Sequence, residues 1–161
     1  MIRHRIRYMV EEDIPEVTEL AAVMFHEGKT YRSLSFSPER VREMASMIIR
    51  TGFAMVAVKE GGHIIGLMAG SLVQPAFSLD LMASDFLLYV LPQHRGGTAA
   101  FSLVRNYVDW ARRGGAKIIS VGVTAGINND AAIAFYRAMG FRESGVQMMM
   151  DCSATGQPAK P

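Results

Sequence analysis

The sequence predicts an α/β domain whose mixed, mostly antiparallel sheet is built around one parallel strand pair. Three observations carry this. Short apolar runs suited to strands alternate with segments of helical spacing along most of the 161 residues. A glycine turn, Glu60-Gly61-Gly62-His63, joins two of the runs as a hairpin. Farther on, a strand at residues 84–91, a helix and a strand at 117–124 follow in the order that a right-handed crossover between parallel strands requires.

Residues 2–10 read as the first strand, and Glu11-Glu12-Asp13 starts a helix, its acids suited to the positive end of the helix dipole. Ile14, Val17, Ala21, Met24 and Phe25 give that helix an apolar face, while Glu16 and Glu19 face water. Residues 26–36 break the pattern and read as a loop; Ser37-Pro38-Glu39-Arg40 then opens a second helix. Residues 53–58 and 64–73 are the hairpin strands. The near-continuous apolar run at 84–91 suggests a strand buried on both faces. The helix after it carries Leu103, Val104, Tyr107, Val108 and Ala111 on one side and stops at Gly114-Gly115. Asn129 or Asp130 can cap a last helix ending near Met139-Gly140, after which residues 141–151 return as one or two strands. Nothing divides the chain, so residues 1–151 form one domain, and the apolar-poor tail 152–161 is expected to be disordered.

Composition excludes several classes. No apolar stretch reaches the length of a membrane span, and the basic N-terminus is followed by no signal-peptide core. One cysteine, Cys152, allows neither an internal disulfide nor a cysteine metal cluster, so a cytoplasmic setting is the default. His4, His63 and His94 show no metal-ligand spacing. Net charge is only +2; the basic N-terminus alternates with Ile2, Ile6 and Tyr8, reading as a solvated strand edge ahead of a nucleic-acid contact. Most of the twelve methionines suit a flexible core, and a pliable binding surface is the alternative.

The most informative stretch is Leu88-Tyr89-Val90-Leu91-Pro92-Gln93-His94-Arg95-Gly96-Gly97-Thr98-Ala99-Ala100. An apolar strand enters a basic glycine turn that opens a helix, which gathers backbone N–H groups and a helix N-terminus where a phosphate can sit. Gly96 and Gly97 permit φ > 0 and close approach, Thr98 can cap the helix, and Arg95 adds a fixed positive charge. The letters exclude a Walker loop, which needs Gly-Lys-Ser/Thr, and a Gly-x-Gly-x-x-Gly dinucleotide turn. A plain glycine connection is the alternative.

Three stretches in order resemble the GCN5-related N-acetyltransferase (GNAT) family over roughly residues 2–151. They are the opening strand and acidic turn Ile6-Arg7-Tyr8-Met9-Val10-Glu11-Glu12-Asp13-Ile14, the motif at 88–100, and Asn129-Asp130-Ala131-Ala132-Ile133-Ala134-Phe135-Tyr136-Arg137-Ala138-Met139-Gly140-Phe141. The resemblance implies a sheet whose central parallel pair is splayed, with flanking helices. It implies acetyl-CoA as cosubstrate and no metal: the pantetheine arm along the backbone of Leu88, Tyr89 and Val90, the diphosphate on Arg95, Gly96, Gly97, Thr98, Ala99 and Ala100, and Asn129 beside the arm. One departure is Thr98, which stands at a family glycine and must keep φ < 0.

The resemblance gives Tyr136 the role of proton donor to the leaving thiolate; by spacing alone it is a core aromatic. The glutamate that serves some relatives as base falls near Thr124, so Asp85 is the carboxylate candidate, or else an exposed strand-end charge. His26, Glu27 and Tyr31 lie in the loop where relatives line the acceptor pocket, Glu27 suited to attract an amine. The expected function is direct acetyl transfer to a primary amine, on a small molecule or a protein. The alternative is a non-catalytic CoA-binding module. Val146 to Met150 offers a surface for a homodimer, or is buried within one subunit.

Overall fold

In the computed structural model, which describes residues 4–152, five strands form one sheet in the order β1-β2-β3-β4-β5. The strands are β1 (His4–Tyr8), β2 (Phe53–Lys59), β3 (Ile64–Val73), β4 (Leu81–Val90) and β5 (Ala116–Ser120). The first four pair antiparallel, and β4 and β5 pair parallel. Helices α1 (Ile14–Glu27) and α2 (Pro38–Thr51) pack on one face, α3 (Ala99–Arg113) and α4 (Asn129–Ala138) on the other. This is the mixed, mostly antiparallel sheet with one parallel pair that the sequence predicts, and the pair, β4 and β5, stands at one end of the strand order. Of the expected tail at 152–161, residues 153–161 lie outside the described residues. Among the described residues, no helix is long and apolar enough to cross a membrane.

Alternation on β2 builds both cores. Phe53, Met55 and Ala57 point to α3, while Ala54, Val56 and Val58 point to α1 and α2. Helix α3 buries Leu103, Val104, Tyr107 and Ala111, the face read from its spacing. Ser37 caps α2 by accepting from the Arg40 N–H at 3.2 Å. At the sheet edge, Arg7 is not left to solvent: it forks onto Asp13 at 2.6 and 2.7 Å, and Asp13 also accepts from the Val10 N–H.

A bulge on β4 sets up everything that follows. Ala69 lies opposite Leu87 and Gly70 opposite Asp85, so Phe86 is an extra, unpaired residue. The extra residue inverts the alternation. Ala83 packs toward α3 before it, and Leu88 and Val90 do so after it, whereas Leu87 and Tyr89 turn to α1. Gly70 is needed opposite the bulge: a Cβ there would stand 2.7 Å from the Ser84 carbonyl oxygen and 2.8 Å from the Tyr107 ring. Gly70→Ala should therefore lower the unfolding free energy by about 1–3 kcal/mol, read from the shift in denaturant midpoint.

Four readings need correction. β4 is not buried on both faces, since Phe86 is exposed and Leu87 and Leu88 are only half-buried. The reason is that β5 pairs only as far as Ser84↔Ser120 and ends there, leaving a gap instead of a neighbouring strand. Residues 141–151 form no strand; Phe141 packs edge-on to Tyr136, and Val146, Met148, Met149 and Met150 are exposed. The cap of α4 is Asn128, in the left-handed region at φ 43°, accepting from the Ala131 N–H, and Asn129 is the first helical residue. Glu16 does not simply face water, because it accepts the Ile64 N–H at the start of β3.

Candidate active site

Where β4 and β5 part, a cleft of about 630 Å³ opens between the second half of β4, the stretch 122–129 and α4. That volume suits a small-molecule or cofactor site. Its walls include Asp85, Leu88, Tyr89, Val90, Arg95, Gly96, Ala100, Asn129 and Tyr136 from the sequence-derived set, and Tyr31 reaches it from the α1–α2 loop. That loop is held over the cleft by the Lys29 N–H, which donates to the Ala125 carbonyl at 3.1 Å. Gly97, Thr98, Ala99, Glu27 and His26 are not part of the lining. His26 is exposed and packs against Phe25 and Phe36 instead.

The open edge of β4 follows from its register. The Leu91 N–H donates to the Ile65 carbonyl, so by the two-residue period the main chain of Tyr89 also serves β3. Val90 and Leu88 therefore turn their backbone groups to the cleft. The Val90 carbonyl already accepts from Arg95 Nε at 2.9 Å.

The turn after β4 adopts φ +80° at Gly96, a conformation open to glycine, whereas Gly97 does not have positive φ. Thr98 sits at φ −92° and precedes α3 without making a side-chain cap. The Ser102 N–H reaches back to the Thr98 carbonyl, so the N–H groups of Ala99, Ala100 and Phe101 find no acceptor within the helix. A cluster of free amides at a helix N-terminus thus adjoins the open strand edge.

Arg95 is placed differently from a side chain lying over that turn. Its guanidinium forks onto Glu27, at 2.6 and 2.7 Å, and lies 5.2 Å from the centre of the Tyr89 ring. The Tyr89 hydroxyl donates to the same carboxylate at 2.5 Å. The hydrogen bonds from Arg95 hold the Glu27 carboxyl below the usual carboxylate range against the opposing effect of burial. Glu27 and Arg95 thereby neutralise each other at the rim.

Residues 14–141 match the sequence profile of the "Acetyltransferase (GNAT) family". The chain belongs to the GNAT acetyltransferase family. It is 28% identical over 121 residues to N-acetyltransferase 8 of Rattus norvegicus, an alignment that covers 75% of this chain and 54% of that protein, so the chain spans about half the length of this curated relative. In fold it is similar to the aminoglycoside N-acetyltransferase AAC(6')-Iy, solved in complex with CoA, with a TM-score of 0.74 at 14% identity over 96% of this chain and 97% of that one. It is also similar to an acetyltransferase of Trypanosoma brucei, with a TM-score of 0.70 at 21% identity over 92% and 99% of the two chains.

In this GNAT domain the carboxylate of the cleft wall belongs to Asp85, one residue before the bulge. Its Oδ1 accepts from the Gly122 N–H at 2.9 Å, across the point where the strands part. Burial pushes the Asp85 carboxyl up to about 6, with that N–H pulling the other way. Tyr136 projects from α4 into the same space, only 6% exposed, its ring against Phe135 and Phe141. Burial, and then the charge of Asp85, push the Tyr136 phenol above its ordinary range, so it stays protonated at neutral pH. Thr124 lines the cleft but has no group that takes up a proton.

Sequence reading missed Phe86, Asn128 and the Gly122 amide. For Asn128 a signal existed: asparagine tolerates the left-handed region and stands directly before the helix.

Proposed function

We propose that this domain transfers an acetyl group from acetyl-CoA to a primary amine, directly, with both substrates bound in the one cleft. The observation that carries the proposal is the splay itself. It sets an open strand edge, a half-buried carboxylate and a buried phenol around one space, with the free amides of the first turn of α3 adjoining it at Ala100.

The residues suit coenzyme A. The backbone of Leu88 and Val90 offers strand-like hydrogen bonds to an amide-bearing arm, and the first turn of α3 together with Gly96 offers N–H groups to a diphosphate. Asn129 stands beside the arm's path at the start of α4. Acetyl-CoA supplies the activated thioester. The chain's own residues do the rest: Asp85 takes a proton from the amine nitrogen as it bonds to the acetyl carbon, and Tyr136 gives one to the sulfur as the C–S bond breaks. Exchange of one proton through water then resets the two side chains.

Melting the protein with acetyl-CoA tests the binding half of this reading. At about a hundred times the dissociation constant, the ligand should add roughly 2.7 kcal/mol, raising the midpoint by about 5–10 °C. No shift would refute it. A shift without thiol release over an amine panel would leave a CoA-binding module in place of an enzyme.

A further inference from the structure

The cleft has an unusual charge content. Among the described residues, its walls carry two charged side chains, Asp85 and Arg95, and Arg95 is already committed to Glu27 and the Val90 carbonyl. Glu27, which holds Arg95 at the rim, is consumed by the same fork and by the Tyr89 hydroxyl. One carboxylate is therefore left to receive positive charge. Most of the remaining lining is apolar, Met24, Phe86, Leu87 and Val123 among it, and its uncharged polar side chains are Tyr31, Tyr89, Thr124, Asn128, Asn129, Tyr136 and Gln147. The chain neighbours of Gln147, Val146 and Met148, stand exposed beside it.

From this we infer that the acceptor is an amine that arrives with a single positive charge on an apolar or aromatic body and gives that proton to water before it attacks, and that polycationic amines are poor substrates. The inference rests on the acetyltransferase reading above and names its acceptor class. An ammonium that finds no carboxylate in a low-dielectric cleft loses its hydration without compensation, so each further positive charge counts against binding. An apolar body instead gains from covering Phe86, Leu87 and Tyr31, about fourfold in affinity per buried methylene. Methionines at the rim can reshape around bodies of different outline.

The test compares matched amines with the full chain at pH 7.5 and saturating acetyl-CoA, following thiol release. Hexylamine and 2-phenylethylamine should exceed both ethylamine and 1,6-diaminohexane at least tenfold in kcat/KM, with the aminoglycoside neamine lowest. Calorimetric binding of the same amines to the protein–CoA complex should give the same ranking, and it reads preference independently of turnover. Phe86→Glu places a second acid at an exposed wall position and should cut the hexylamine-to-diaminohexane ratio at least fivefold while the acetyl-CoA melting shift persists. A diamine or neamine equal to or better than hexylamine overturns the inference, as does equal binding of all the amines. An unchanged ratio in the folded Phe86→Glu protein does so too. Loss of the acetyl-CoA shift in the unaltered protein is a different failure, that of the transferase reading.

Discussion

Tyr136→Phe should lower kcat by about 10²–10³-fold while leaving the acetyl-CoA melting shift within a degree of its original size. The substitution removes one hydroxyl and keeps the ring that packs between Phe135 and Phe141, so the fold has little reason to change. That hydroxyl makes no hydrogen bond to the described residues, and its loss therefore strands no partner inside the protein. Its value lies in its proton. A phenol pushed up by burial and by the charge of Asp85 holds that proton at neutral pH, the form needed to meet a departing thiolate. Rates measured at saturating concentrations of both substrates read the effect directly. A kcat within threefold of the original would remove Tyr136 from the acid role and return it to the core.

Asp85→Asn should reduce kcat/KM for the amine by a comparable factor and abolish the acidic limb of the rate–pH profile. A base works only when ionised, so the original protein should lose rate as pH falls through about 6, where the carboxyl takes up its proton. The same shift makes a prediction about stability that needs no substrate. The carboxyl is held well above its ordinary value of 3.8, which means that the folded state binds the proton more tightly than the unfolded chain. Stability from this group is fully present below pH 3.8 and is lost as pH rises through about 6. The ionised form then costs roughly 3 kcal/mol at pH 7.5. Asn carries no charge to desolvate, and its carbonyl can still accept the Gly122 N–H. The Asp85→Asn protein should accordingly melt about 5 °C or more above the original at pH 7.5, and near it at pH 4. Parallel melting curves at the two pH values would show that Asp85 is not desolvated in the folded state.

Much of the frame was legible in the letters because it depends on local rules. The Glu60–His63 turn brings Gly61 and Gly62 to positive φ, Ser37 caps α2, and α3 stops at Gly114-Gly115 after burying the residues that its spacing marked. The glycine turn after β4 and the free amides of α3 follow from neighbours in sequence. Other features involve residues that the chain separates widely. Arg95 meets Glu27 across 68 positions, and nothing near either residue announces that the two charges cancel. Asp85 looks like an exposed strand end until the Gly122 amide and the parting of β5 enclose it. The apolar letters of residues 146–150 suggested a strand, but a strand needs a partner edge, and here the segment lies exposed beside the cleft.

By itself, then, the sequence determined the elements, their mixed order and the turn where a helix start meets a strand end, since periodicity, caps and glycine conformations act within a few residues. Only the tertiary structure decided which charges remain available in the cleft, which backbone edge of β4 stays open and how far the Asp85 proton is held. Those quantities depend on desolvation and on pairing between distant segments, and both arise only once the chain has closed on itself.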